Sequence, residues 1–360
     1  MMNHADVPAP RSSRQRKPIA LVALTAMTAM SLLAGCSSEE PETAKPKRPD
    51  PVVPSPEKSS KAPEPKAGGF SPYVDTSLSP AFNLIEGAEE TGVKEFNLAF
   101  VSPGGGCVPK WGGRQALAAN PVAQQADELR AEGGDVRVSF GGQSGNELAR
   151  VCGSVDKLVN AYRKVVDAYH LTKVDFDIEG PALTDTKANR LRAQAIARLQ
   201  QDSKLDVSFT LPVLPSGLNR HAVAVLQDAR KNGARISTVN VMAMDYGTYY
   251  DGDMGTYAIQ AATATQKQIK GVLGIRDEAT AWKSVSVTPM IGVNDVKGEV
   301  FRPDDAAELK KFAEEKGLGH LSMWSMTRDK PCPGGATIKA QATCSSIGKK
   351  TNEFVRAFAG

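Results

Sequence analysis

From Phe70 onward, short runs rich in β-branched and aromatic residues alternate with longer segments in which apolar positions recur every three or four residues. The first pattern fits strands, and the second fits helices with one buried face. Eight strand candidates follow one another: "FSPYVDTSL" from Phe70, "EFNLAFVSP" from Glu95, "DVRVSFGG" from Asp135, "KVDFDIEG" from Lys173, "DVSFTLPVLP" from Asp206, "STVNVMAMDYG" from Ser237, "SVTPMIGVND" from Ser286 and "GHLSMWSMTRD" from Gly319. Between them lie helical stretches such as "VDKLVNAYRKVVDAYH", whose Leu158, Tyr162, Val165, Val166 and Tyr169 share one face. "TDTKANRLRAQAIARLQQ" behaves the same way, and "PDDAAELKKFAEEKG" adds a start signal at Pro303, Asp304 and Asp305 and a stop at Gly317. Eight such units in roughly 290 residues predict an α/β fold of the (β/α)8 TIM barrel type, usually ~250 residues long. A doubly wound open sheet competes, but no G-x-G-x-x-G follows the first strand, and the glycines of "PGGGC" are not promptly followed by a helix.

The chain has 360 residues, with Lys+Arg 44, Asp+Glu 40 and 41% hydrophobic residues, within the ordinary globular range. Its first part has a different character. Arg11, Arg14, Arg16 and Lys17 precede "IALVALTAMTAMSLLAG", an apolar run too short for a confident membrane span, which reads as an export signal. It ends in Leu33-Ala34-Gly35-Cys36, which looks like a bacterial lipoprotein cleavage box with Cys36 as the lipidated first residue of the mature protein. A plain signal peptide with an incidental cysteine is the alternative. Residues 1–36 are thus expected to be a signal segment, and 37–69, a Pro/Lys/Glu/Ser-rich stretch with almost no large apolar residue, a disordered tether. Residues 70–360 would be the folded barrel, exported and held at the cell surface by its lipid. Its acidic and basic residues balance to within one charge, so it offers no electrostatic footprint for nucleic acid.

Beyond Cys36 the cysteines are Cys107, Cys152, Cys332 and Cys344, an even number in an exported chain, which suggests two disulfides. Three connectivities are open. The short intervening loop favours Cys332 with Cys344, leaving Cys107 for Cys152. A zinc site is disfavoured because no histidine lies near any of the four.

The segment "LTKVDFDIEG" sets Asp175, Asp177 and Glu179 at alternate positions, with Val174, Phe176 and Ile178 between them. On a strand the acids share one face. If the apolar face meets the helices, the acids line the barrel interior, where burial and mutual repulsion favour keeping a proton on at least one. A solvated edge strand or a Mg²⁺ or Ca²⁺ site would also use such acids, but no second acidic cluster supports a metal. Other polar residues gather at predicted strand ends, where a barrel carries its chemistry: Asp75, Ser102, Gln143, Asp245, Tyr246, Asn294, Asp295 and Arg328.

"VDFDIEG" resembles the D-x-x-D-x-D-x-E signature of the family 18 glycoside hydrolases, the chitinases and their relatives, which are (β/α)8 barrels. "SFGG" at Ser139 to Gly142 resembles that family's S-x-G-G, "MAMDY" at Met242 to Tyr246 its M-x-Y-D, and Trp324 the tryptophan that ends strand eight. The resemblance spans about Phe70 to Asp329. It implies a retaining, endo-type chitinase acting by substrate-assisted catalysis. Glu179 would be general acid and base. Asp177 would orient the substrate's acetamido group, and Asp175 would share a proton with Asp177. Trp324 would stack on the sugar, with Gln143, Met244, Asp245 and Tyr246 as further substrate-binding candidates.

Two departures stand out. Thr172 replaces the first acid of the signature. Met244 replaces the motif tyrosine and cannot donate a hydrogen bond, so Tyr246, two residues on, is expected to reach the same space. Tyr73, Trp111, Trp282 and Tyr257 could serve as extra sugar platforms, but single aromatics are more often core or interface, and that is what is expected of them. The expected partner is chitin or N-acetylglucosamine oligosaccharides, met by a monomer without cofactor or metal and attached to a membrane only through its anchor. A catalytically silent glycan-binding barrel and an endo-N-acetylglucosaminidase acting on N-glycans are the competing functions.

Overall fold

The computed structural model describes residues 68–143 and 146–360. Cys36, the expected signal segment and all but the last two residues of the expected tether lie outside the described residues. Eight parallel strands form the central sheet: β1 (Tyr73–Asp75), β2 (Glu95–Pro103), β3 (Asp135–Gly141), β4 (Lys173–Asp177), β5 (Asp206–Leu214), β6 (Thr238–Ala243), β7 (Val285–Pro289) and β8 (His320–Leu321). They pair in chain order. Ser71 N–H donates to Leu321 O (2.9 Å) and Tyr73 N–H to Met323 O (3.0 Å), closing the sheet on itself. This is the expected (β/α)8 barrel.

Packing explains why these runs are strands. Their outward positions, such as Phe96, Val138, Phe176, Phe209, Val241 and Val287, are almost wholly buried under the helices. Interior positions are largely polar: Asn97, Ser139, Asp175, Ser208, Asn240 and Thr288 are all buried. Each therefore needs a hydrogen-bond partner inside the barrel. At the lower mouth Arg137 bonds Asp206 (2.7 Å), and Lys173 pairs with Glu95 and Asp135.

The helices obey their local signals. In Val155–Ala168 the Ser154 side chain caps the first turn, and Leu158, Tyr162 and Val165 are buried. Pro303–Lys316 starts where Arg302 N–H donates to Asp305 Oδ2 (2.6 Å) and stops at left-handed Gly317. Several strands are shorter than expected. β7 ends at Pro289, which has no N–H for the ladder, and beyond β8 Trp324 meets Met290 in a single bridge. Cys107 joins Cys152, and Cys332 joins Cys344, as the favoured connectivity had it. Both bridges tie loops that follow barrel strands. Among the described residues no helix is long and apolar enough to cross a membrane.

Candidate active site

Strand β4 sends Asp175 and Asp177 inward and Val174 and Phe176 outward. The ladder stops at Asp177, yet Glu179 keeps an extended backbone (φ −139°, ψ 176°) before the short helix Gly180–Thr184. The alternation therefore survives past the strand end, and the three acids climb from the barrel core to its upper rim.

Asp175 is the deepest. Its Oδ2 accepts from Ser139 Oγ (2.6 Å) and Tyr73 OH (3.0 Å), and its Oδ1 from Ser208 Oγ (2.6 Å) and Thr210 Oγ1 (2.9 Å). Four hydroxyls thus meet the carboxylate's four acceptor sites. The network continues through Asn240, whose Nδ2 donates to Thr210 Oγ1 (2.9 Å) and whose Oδ1 accepts from Thr288 Oγ1 (2.8 Å). Above this network, Asp177 and Glu179 are hydrogen-bonded to each other.

Burial, the Glu179 charge and the Asp175 charge push the Asp177 carboxyl well above the usual range, and Glu147 adds to the effect. Burial also pushes Glu179 up to about 7, against the hydrogen bond from Asp177 and with the charge of Asp245. Two adjacent carboxyls that repel and share a proton titrate as a unit. Asp177 Oδ1 makes no hydrogen bond within the chain.

The pair faces a cleft of about 280 Å³. Phe100 stacks on Trp324 (centroids 5.5 Å apart), and Tyr73 tilts against the same indole (6.0 Å), forming an aromatic wall. Gln143, Met244, Asp245 and Asp295 line the rest of it with Met242, Met290 and Thr288. The "SFGG" glycines shape the wall from behind. At Gly141 (φ +105°) a Cβ would lie 2.1 Å from the Asp177 carbonyl oxygen, and at Gly142 (φ +92°) one would meet the Phe100 ring at 2.7 Å.

Tyr246 does not reach the cleft. β6 ends at Ala243, and Asp245 adopts a left-handed backbone (φ +51°), a conformation that aspartate tolerates. This breaks the strand alternation, so Met244 and Asp245 both line the cleft. Tyr246 turns outward to pack on Tyr250 and Tyr257, its hydroxyl buried without a partner. Asp245 is fixed by Val296 N–H (2.9 Å), and burial raises its carboxyl above the usual range.

Tyr73, expected in the core or an interface, spans the cleft wall and the Asp175 network. No local signal distinguishes it, because β1 and β4 meet only in the closed barrel. Trp111 and Trp282 are structural: the first donates to Tyr169 OH (2.7 Å), and the second packs on Phe312. Asp75 binds Ser77 in a turn, and Arg328 lies beneath the cleft, donating to the carbonyls of Ile291, Val293 and Gln341. Among the described residues no group of three or more His, Cys, Asp or Glu is arranged to hold a metal. A buried carboxyl that holds its proton near neutrality, beside a second carboxyl and an aromatic wall, can do acid–base chemistry on a flat, polar ligand such as a sugar.

No protein-family model matches the chain. It is 34% identical over 287 residues to a probable bifunctional chitinase/lysozyme of Escherichia coli (strain K12), covering 76% of this chain and 32% of that protein. It is also 34% identical over 278 residues to endochitinase 11 of Metarhizium anisopliae, covering 73% of this chain and 52% of that one. The chain therefore spans about a third and about half of the lengths of these two relatives. Among solved structures it resembles catalytic-site mutants of active domain 2 of a thermostable chitinase from Pyrococcus furiosus, complexed with chito-oligosaccharides. There the TM-score is 0.73 and the identity 32%, over 82% of this chain and 95% of that one.

Proposed function

The chain belongs to the chitinase family of glycoside hydrolases, family 18, and from that premise we propose that it is a retaining, endo-type chitinase cleaving β-1,4-linked N-acetylglucosamine. The observation that carries the proposal is Glu179, half-buried on the floor of an open cleft, its carboxyl pushed up to about 7 beside Asp177. Such a group holds a proton to give at neutral pH and can take one back.

In this reading Glu179 protonates the glycosidic oxygen. The carbonyl oxygen of the substrate's own acetamido group attacks the anomeric carbon, the bond to the leaving sugar breaks, and an oxazolinium ion forms. Water then opens that ion with Glu179 as base, so configuration is retained. This substrate-assisted route needs no carboxylate nucleophile. Asp177 accepts the acetamido N–H on Oδ1, the oxygen without an internal partner, and balances the positive charge of the intermediate. Asp175 and its four hydroxyls hold Asp177 from below. Trp324 receives the apolar face of the sugar, while Asp245, with Met244 and Gln143, contacts its substituents.

The export signal, the lipid at Cys36 and the cell-surface location belong to the same proposal, as does action as a monomer.

The test is to incubate the full chain and its Glu179→Gln variant with N-acetylglucosamine oligomers and with N-glycosylated protein. Cleavage of the oligomers by the wild type alone is expected. Equal cleavage by the variant, binding without cleavage, or cleavage confined to the glycoprotein would overturn the proposal.

A further inference from the structure

Away from the cleft, Glu147 and Arg192 form an ion pair with side-chain exposures of only 4% and 1%. The Arg192 guanidinium meets the carboxylate with both prongs: Nε donates to Oε2 (3.1 Å) and Nη2 to Oε1. Its Nη1 donates to Asn189 Oδ1 (2.8 Å), and Asn189 Nδ2 donates to the Leu183 carbonyl (3.2 Å). Leu183 lies in the short helix Gly180–Thr184, which begins directly after Glu179. At the other end, Glu147 is the N-cap residue of the helix Leu148–Val151, four positions after Gln143, which lines the cleft. Cys152, bonded to Cys107, closes that helix.

Stability alone is a poor reason for such a pair. Two charges taken out of water recover their desolvation cost only with good geometry, and apolar residues of similar volume commonly do as well. What the pair achieves is connection. The forked contact joins the start of Leu148–Val151 to Arg192 on the helix Thr186–Asp202, whose Asn189 reaches the short helix after Glu179, using an arginine geometry that lysine does not reproduce.

We propose that Glu147 and Arg192 are positioning residues for the Asp177–Glu179 pair, tying the helix Leu148–Val151 to the short helix that follows Glu179 and placing a fixed charge within the pair's reach. The proposal rests on the reading of that pair as the reacting groups. The groups that face Asp177 electrostatically are Glu179, Asp175, Glu147 and the Tyr73 hydroxyl; Asp245 faces Glu179. Tyr162, buried nearby, feels both members of the ion pair. Glu147 raises the Asp177 carboxyl, so its charge helps keep a proton in the pair.

The experiment compares the full chain with Glu147→Gln, Arg192→Lys and Asn189→Ala. Turnover of an aryl chitobioside gives kcat and KM, and carboxyl ¹³C NMR of the Asp177–Glu179 pair needs no turnover. Glu147→Gln should move the pair's titration toward acid and lower kcat on the order of tenfold, with KM within about twofold. Arg192→Lys keeps the charge, so it should lower kcat while leaving the titration in place, and Asn189→Ala should do the same. An unmoved titration in Glu147→Gln, with kcat within about twofold of wild type in all three, would reduce the pair to a structural part even if Tm fell. If Glu147→Gln does not fold, the milder two decide by kcat against KM. If the wild type turns over no chitobioside, the functional reading fails, while the titration still decides this one.

Discussion

Replacing Glu179 with Gln should make the protein more stable at alkaline pH while removing its activity. Burial lifts the Glu179 carboxyl from 4.5 to about 7, so between those values the folded chain holds a proton that the unfolded chain releases. The stability linked to this group is fully present below about pH 4.5 and is lost as pH rises through about 7. At about 1.4 kcal/mol per unit the loss is about 3 kcal/mol, and because Glu179 opens onto solvent in the cleft, screening brings it nearer about 2. Glutamine carries no charge at any pH and escapes the loss. Denaturant unfolding followed by tryptophan fluorescence at about pH 4.5, 6 and 8 should show the variant more stable than wild type by about 2 kcal/mol at the highest pH, with the gap closing toward the lowest. Loss of a general acid and base should lower kcat by about 10²–10⁴-fold. A stability gap that is constant with pH, or that opens on the acid side, would refute the reasoning.

Three further outcomes follow from the same contacts. Tyr246→Phe removes a buried hydroxyl without a partner and touches no cleft atom, so kcat should be unchanged and stability higher by about 1 kcal/mol in denaturant unfolding; a rate loss would return Tyr246 to the site. Trp324→Ala removes the indole that stacks on Phe100 and should raise KM for chitin oligosaccharides about tenfold, equivalent to about 1.4 kcal/mol of binding, more than it lowers kcat. Replacing Cys107 and Cys152 with serine opens a loop 45 residues long and should cost about 4 kcal/mol, against about 3 for the 12-residue loop of Cys332 and Cys344, measurable as a larger fall in Tm.

The features legible in the sequence are those that local geometry controls. Asp175, Asp177 and Glu179 alternate by the two-residue period of a strand, which needs no knowledge of the neighbours, and the backbone stays extended through Glu179. The start and stop of Pro303–Lys316 were legible for the same reason. Tyr246 was misplaced because one left-handed residue, Asp245, ends that period and turns the next side chain outward. Ser208 and Thr210 reach Asp175 from the neighbouring strand, a pairing whose register the sequence does not print, and Tyr73 reaches it only when the barrel closes, a contact that bridges 102 positions. "SFGG" could be matched as a pattern, but its cause, the Asp177 carbonyl 2.1 Å from any Cβ at Gly141, is a tertiary contact.

The central claim is that the substrate's acetamido oxygen, with Glu179 as proton donor, displaces the leaving sugar. ¹H NMR of the full chain acting on a chitin oligosaccharide, recorded before mutarotation, tests it directly. The account predicts that the newly formed reducing end appears first as the β-anomer; first appearance of the α-anomer would contradict it.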